Sequence, residues 1–139
     1  KLWSATAIVH SEHHGVLEEV HKSFLQAGAQ AITTNSYGII PGVGFDNDSE
    51  RQTYLDMAGS IARRAVTASG KKDVMVLGSL GPLVESYRAD LIRSHAQGVQ
   101  EYRIACEALR PHVDAFLAET MSCVEESMQA LEAVIRTDS

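Results

Sequence analysis

Three groups of small or polar residues each follow a short apolar run in this chain, at residues 34–37, 78–82 and 119–122, spaced about forty residues apart. The order is that of a strand, a loop and a helix, repeated three times. Because parallel α/β proteins bind their ligands at the carboxyl ends of the strands, the three groups predict where a ligand would lie. Their side chains are therefore the first candidates for chemistry.

Glu119 is the most pointed of these candidates, because it ends the apolar run 115–118 and should emerge at the carboxyl end of a strand. A carboxylate in that position can bind a substrate ammonium group or act as a base. The alternative is an exposed acid near the start of a helix, where the helix dipole favours negative charge. Position alone leaves both interpretations open.

The first group places five hydrogen-bonding side chains in a row: Thr33, Thr34, Asn35, Ser36 and Tyr37. That density favours contact with a ligand. The structural alternative is that Asn35 and Ser36 satisfy backbone groups of a turn. Tyr37 is the strongest candidate of the five, because it combines an aromatic ring with a polar tip.

The second group, which contains Gly78 and Ser79, resembles a phosphate-binding loop only superficially. It lacks the spacing of the P-loop and of the dinucleotide-binding loop, so nucleotide binding is not indicated. Its glycines could let the backbone approach a ligand, or they could permit a tight turn after the strand. The structural interpretation is favoured.

Histidines and cysteines suggest little chemistry. Four histidines precede or lie on the first predicted helix, at the wrong end of the strand for a site, and are interpreted as solvated or capping: His10, His13, His14 and His21. His95 and His112 are isolated in sequence. Cys106 is expected to be a small buried or half-buried apolar residue. Cys123 lies near the predicted ligand edge, in the first turn of a helix, but a catalytic role is the less favoured interpretation.

Apolar periodicity predicts the elements that position these residues. Helices are expected over 15–27, from Ser49 to about 69, from 89 or 91 to 109, and after Ser122, with strands over 29–34, 74–77 and 113–118. Ser49 with Gln52, and Ser122 with Glu125, have the spacing of capping boxes. The apolar stripes of the first and last helices comprise Val16, Leu17, Val20, Phe24 and Ala27, and Val124, Met128, Leu131 and Ile135.

Strands that are apolar on both faces and alternate with long helices predict a parallel sheet covered by helices. A (β/α)8 barrel needs eight strands and about 250 residues, whereas three strands are predicted here. A doubly wound domain usually has more strands as well. Neither count is satisfied, so the economical prediction from the residues alone is a fragment, and both architectures stay open at this point.

Composition narrows the class of partner. The net charge is −6, with acids and bases mixed along the chain, which argues against nucleic acid and anionic membranes as main partners. No apolar stretch approaches the roughly 20 residues of a transmembrane helix, and the first residues do not open a signal peptide. Two cysteines do not form a secreted disulfide framework, so a cytoplasmic protein with reduced thiols is expected.

Taken together, these segments resemble the homocysteine S-methyltransferase family over nearly the whole chain. The segments that carry the resemblance are residues 2–5, 20–21, 27–29, 32–37, 78–82, 85–88 and 118–121. Each is weak alone, but their order and spacing are specific as a set.

The resemblance implies that residues 1–139 are a single partial (β/α)8 barrel domain, truncated at both ends and running from the first crossover helix through the fourth helix. It also implies a zinc ion that holds the homocysteine thiolate, which takes a methyl group from S-methylmethionine or S-adenosylmethionine to give methionine. In the family three cysteines hold the zinc, and neither Cys106 nor Cys123 matches them, so the segment alone should be inactive. Glu119 would bind the amino group of homocysteine.

The same resemblance assigns the remaining pocket residues. Tyr37 with Thr34, Asn35 and Ser36 would line the substrate pocket, and the stretch that begins Gly78-Ser79 would form its wall.

Two rivals remain. The chain could be a small flavodoxin-like binding or regulatory module without catalysis, or a barrel that methylates another thiol acceptor. The sequence does not indicate the oligomeric state.

Overall fold

A computed structural model describes residues 5–41 and 43–138; residues 2–4 of the resemblance therefore lie outside the described residues. The α-helices are α1 (Thr6–Val9), α2 (His14–Gln26), α3 (Asp48–Ser69), α4 (His95–Leu109) and α5 (Val124–Thr137). The strands are β1 (Ala31–Thr33), β2 (Met75–Leu80) and β3 (Ala115–Ala118). Single 3-10 turns lie at Ser11–His13, Ala89–Leu91 and Arg110–His112. None of the described helices is both long enough and apolar enough to cross a membrane.

The three strands form one parallel sheet in the order β1-β2-β3, so the predicted α/β class with a parallel sheet is confirmed. Ile32 lies opposite Val76, and Gly78 lies opposite Phe116. Each of the four long helices packs against the next along the chain, so they form one layer on one face of the sheet. The opposite face, which includes Thr33, has no helix over it among the described residues.

Periodicity predicts a seven-residue apolar stripe on the central helix α3, and six of the seven are buried: Leu55, Ala58, Ile61, Ala62, Ala65 and Val66. The seventh, Tyr54, is only partly buried. Its start differs from the prediction. Asn47 is the N-cap, and its side-chain Oδ1 accepts a hydrogen bond of 2.9 Å from the Glu50 N–H. The predicted Ser49–Gln52 capping box is therefore wrong, because Asn47, two residues before Ser49, already occupies the N-cap position. Gly70 ends the helix with φ of 68°.

The second predicted capping box is also wrong. Helix α5 begins at Val124 with Cys123 at the N-cap, and Cys123 makes no side-chain capping bond. Glu126, one residue beyond the predicted Glu125, accepts the Ser122 N–H at 2.8 Å through its Oε2. Glu126 is only 2% exposed, so the capping carboxylate is buried.

Strand β2 continues to Leu80, so Gly78 and Ser79 belong to the strand and not to a loop after it. Close packing explains the glycine. A Cβ atom on Gly78 would lie 2.8 Å from Cδ1 of Phe116 on the neighbouring strand, well inside van der Waals contact. A larger residue would push β2 and β3 apart.

The outer helices differ from the prediction. In α2, Leu17 is buried but Val16 and Phe24 are 63% and 61% exposed. In α5 all four residues of the predicted stripe are at least half exposed, and the buried positions are Glu126, Gln129, Ala130 and Ala133. Gly98 explains this packing, because a Cβ there would overlap the Gln129 side chain. Helix α5 thus meets α4 through small and polar residues, and Leu131 of its exposed stripe lines a groove beside β3.

Candidate functional site at the carboxyl ends of the strands

The carboxyl ends of the three strands surround an open cavity of about 240 Å³. Its lining residues are Thr33, Thr34, Asn35, Tyr37, Ser79 and Glu119. Five of the seven predicted site residues therefore lie around one space. The two others do not line it: Gly78 faces Phe116, and the side chain of Ser36 is buried beneath the strand ends.

Glu119 is half-buried at the end of β3, and its N–H donates to the Leu80 carbonyl at 3.1 Å. Its Oε1 accepts a hydrogen bond of 2.5 Å from the Ser79 hydroxyl. No lysine, arginine or histidine forms an ion pair with Glu119 among residues 5–41 and 43–138. A carboxylate held by a neutral donor at the edge of a cavity is suited to an external cation.

Thr120 follows immediately with φ of 59°, a left-handed conformation that costs a β-branched residue about 1–2 kcal/mol. The sequence carries no signal for this turn. It redirects the chain sharply after Glu119, which ends the strand at the cavity. Backbone strain of this kind is concentrated at functional sites.

Tyr37 lies against the strand-end backbone. Its hydroxyl forms a hydrogen bond of 2.6 Å with the Ser86 hydroxyl, and a Cβ on Gly81 would lie 2.8 Å from its ring. Gly81 is therefore required for the ring to pack closely. The Tyr102 hydroxyl donates to the Gly81 carbonyl at 3.1 Å and supports the same turn from below. Sequence reasoning did not assign a role to Ser86, although it lies in the resemblance segment 85–88.

Asn35 stands between the cavity and a groove of about 340 Å³ beside β1. Its Oδ1 is buried and accepts no hydrogen bond within the described part of the chain. His21 lines the same groove. It is 7% exposed, and burial lowers its pKa, so its interpretation as a solvated or capping histidine is wrong.

The other histidines behave locally. His14 Nε2 lies 2.7 Å from the Ile8 carbonyl, which fits a capping role. His95 and His112 are not isolated in space, because they pair with Glu132 at 2.8 Å and Asp56 at 2.7 Å.

The cysteines offer no metal chemistry in this segment. Cys106 is fully buried on α4, as predicted, and burial raises the pKa of its thiol to about 12. Within the described ranges no group of three or more His, Cys, Asp or Glu side chains is placed to hold a metal ion. The residues described here therefore do not fit the zinc that the resemblance implies.

Comparison with known proteins identifies the family. A model of the family described as homocysteine S-methyltransferase matches residues 1–138. The homocysteine S-methyltransferase of Escherichia coli is 31% identical over 138 residues, which cover 88% of this chain and 42% of that protein. The S-methylmethionine–homocysteine S-methyltransferase BHMT2 of Pongo abelii is 24% identical over 138 residues, covering 99% of this chain and 35% of the relative.

A methionine synthase of Mycobacterium tuberculosis is 35% identical over 79 residues, or 54% of this chain and 7% of that protein. The chain thus spans less than half the length of the curated relatives it matches. The family match covers almost every residue of the chain, including all three strand ends. The chain belongs to the homocysteine S-methyltransferase family.

Proposed function

We propose that this chain supplies the part of a homocysteine S-methyltransferase that binds the amino-acid end of homocysteine. The complete enzyme would transfer a methyl group from S-methylmethionine or S-adenosylmethionine to the homocysteine thiolate and form methionine. The observation that carries the proposal is the Glu119 carboxylate, which faces an open cavity with one oxygen bonded to Ser79 and no cation beside it in the described residues. The names of the relatives support the substrate.

In this proposal the ammonium group of homocysteine binds the second oxygen of Glu119. The Ser79 hydroxyl has one proton and donates it to Oε1, so Oε2 is the oxygen available to a ligand. A hydrogen bond between an ammonium and a carboxylate contributes about 1.5–3 kcal/mol. Tyr37 and Asn35 border the same cavity and would contact the rest of the amino-acid moiety.

The zinc of the family would be held by residues outside this chain and would supply the thiolate form of the acceptor. The function we assign to the described residues is restricted to binding and orienting the amino-acid end. For the same reason we propose that this chain alone does not catalyse methyl transfer. For the donor, the name of the Pongo abelii relative makes S-methylmethionine the first to test and S-adenosylmethionine the second.

We further propose that residues 1–139 form one part of a (β/α)8 barrel, from its first crossover helix through its fourth helix. Sequential strand order with four helices in one layer supports a barrel, because a doubly wound sheet carries helices on both faces. Both free edges are bordered by grooves, of about 340 Å³ between β1 and α2 and about 380 Å³ between β3 and α5. Neighbouring strands and helices of a barrel would fill them. The same layer disfavours the flavodoxin-like module.

The test uses the full-length protein that contains this chain, assayed with homocysteine and each donor. Glu119→Gln removes the charge that would hold the ammonium, so the KM for homocysteine should rise by roughly 10- to 100-fold, equivalent to about 1.5–3 kcal/mol, with a smaller change in kcat. Glu125→Gln, an exposed acid in the first turn of α5, is the matched control and should leave both constants unchanged. An unchanged KM in Glu119→Gln would remove Glu119 from the site.

A further inference from the structure

Three buried residues, Thr34, Ser36 and Ser79, form a closed ring of hydrogen bonds beside the candidate site through two hydroxyls and one residue's backbone N–H and C=O. The Ser36 hydroxyl donates to the Ser79 carbonyl at 2.7 Å, and the Ser79 N–H donates to Thr34 Oγ1 at 3.0 Å. Thr34 Oγ1 and Ser36 Oγ lie 2.7 Å apart. Because the single Ser36 proton is already directed to Ser79, Thr34 must be the donor in that third bond. The direction of every bond in the ring is thereby determined.

The ring extends the pairing of β1 with β2 beyond the end of β1. The last main-chain bond between them runs from the Thr34 N–H to the Leu77 carbonyl at 2.9 Å. Beyond the end of β1, the hydroxyls of Thr34 and Ser36 bind the backbone N–H and C=O of Ser79 in place of a further strand residue. Thr34, Ser36 and Ser79 are each at most 3% exposed, so bulk water does not compete for these bonds.

The Ser79 side chain connects this ring to Glu119. The backbone N–H and C=O of Ser79 are held from the β1 side, and its hydroxyl donates to Glu119 Oε1 on the β3 side at 2.5 Å. Leu80 and Ala118 are the last paired residues of the two strands, and Glu119 comes directly after Ala118. The register therefore brings the side chains of Ser79 and Glu119 together.

We infer that Thr34, Ser36 and Ser79 are positioning residues, which orient the Glu119 carboxylate so that one oxygen is occupied and the other faces the amino group of the substrate. The inference rests on the function proposed above. It also gives Thr34 and Ser36 a different role from the substrate contacts predicted by their sequence: their hydroxyl protons are already used within the ring, and they act on the substrate through Ser79 and Glu119.

The deciding experiment is a double-mutant cycle in the full-length protein, with the KM for homocysteine and kcat as readouts. Ser79→Ala removes the donor to Glu119 and should raise KM by about five- to tenfold while kcat stays within about twofold. In a Glu119→Gln background the same substitution should change KM by less than about twofold, because the oriented charge is already gone. Ser127→Ala, which removes a partly buried hydroxyl from α5, is the control and should alter neither constant.

A second pair of variants tests the ring itself and protects the result if Ser79→Ala folds poorly. Thr34→Val is nearly isosteric and leaves the Ser79 N–H and Ser36 without their partner, so KM should rise, whereas Thr34→Ser keeps the hydroxyl and should restore most of the wild-type KM. Equal loss in both Thr34 variants, or multiplicative effects of Ser79→Ala and Glu119→Gln, would overturn the positioning role. Loss of the Glu119→Gln effect would instead remove the proposed function, so the two failures are distinguishable.

Discussion

Two carboxylates lie at opposite ends of strand β3, and their surroundings differ. At the amino end, Asp114 Oδ2 accepts the Val76 N–H at 2.7 Å and pairs with the Arg63 guanidinium at 2.9 Å. Arg63 also donates to the His112 carbonyl at 2.8 Å. This carboxylate is neutralised within the fold. At the carboxyl end, Glu119 receives one bond from a neutral hydroxyl and borders a cavity.

The difference distinguishes a structural end of the sheet from the end at which we propose that a ligand binds. A charge that the fold neutralises contributes to stability, and its removal leaves partners unsatisfied. A charge left without a counter-ion contributes little to folding and remains available to a ligand. In parallel α/β folds the carboxyl end carries ligands while the amino end serves stability, and the two carboxylates follow that division.

The largest expected effect tests the packing of the amino end. A Cβ on Gly59 would lie 2.8 Å and 2.9 Å from Cδ2 and Cβ of His112, and the latter atom cannot move without the backbone. Gly59→Ala should therefore lower the free energy of unfolding by about 2–3 kcal/mol, measured by urea denaturation. The KM for homocysteine should stay unchanged in the folded fraction. A gain in stability, as expected for alanine in an unhindered helix, would contradict this packing.

The second prediction breaks the amino-end pair directly. Asp114→Ala removes the acceptor of the Val76 N–H and the partner of Arg63, and should cost about 1–2 kcal/mol of unfolding free energy. The figure is discounted because the Asp114 side chain is 40% exposed. Homocysteine kinetics should not change. A shift in KM with unchanged stability would show that the amino end also takes part in binding.

The third prediction uses pH. Burial acts to raise the pKa of Asp114, but the bond from Val76 N–H and the charge of Arg63 outweigh it, so the pKa lies below its ordinary value of 3.8. A lowered folded-state pKa means that the stabilisation is present above about pH 4 and is lost as the pH falls through the folded-state pKa. Unfolding free energy should therefore decline less on acidification in Asp114→Asn than in the wild type, by up to about 1 kcal/mol. Parallel pH profiles would contradict this.

The smallest effect concerns the carboxyl end. Thr120→Gly relieves the left-handed backbone strain and should stabilise the fold by about 0.5–1 kcal/mol, since part of the gain is offset by the flexibility of glycine. We expect the KM for homocysteine to rise about two- to threefold, because Glu119 is then followed by a looser turn. Thermal unfolding and steady-state kinetics on the same preparation measure both. A more stable variant with unchanged KM would make the strain irrelevant to binding.

The central helix and the parallel strands of this fold could be predicted from the sequence, whereas the packing of the outer helices could not. The stripe of α3 and the parallel strands follow from periodicity, because these elements are covered by neighbours on the side that the pattern predicts. The stripe of α5 was wrong because its position depends on Gly98 and Gln129, a contact between helices that periodicity does not encode.

The site divides in the same way. Glu119, Tyr37 and Asn35 could be placed together because strand ends converge in any parallel sheet. The length of β2, and with it the place of Gly78, depends on pairing with β3. The hydrogen-bonded ring of Thr34, Ser36 and Ser79 depends on which hydroxyl contacts which backbone group across the two strands. Neither the length of β2 nor this ring has a signal in the local sequence.

The central claim is that Glu119 is held ready for a ligand's charge and is not part of the fold's own stabilisation. Measuring unfolding free energy and homocysteine KM on the same samples of wild type and Glu119→Gln tests it most directly. We predict an unfolding free energy within about 0.5 kcal/mol of the wild type together with a rise in KM of roughly 10- to 100-fold. A loss of about 1–2 kcal/mol in stability with an unchanged KM would place Glu119 with Asp114 as a structural carboxylate and contradict the account.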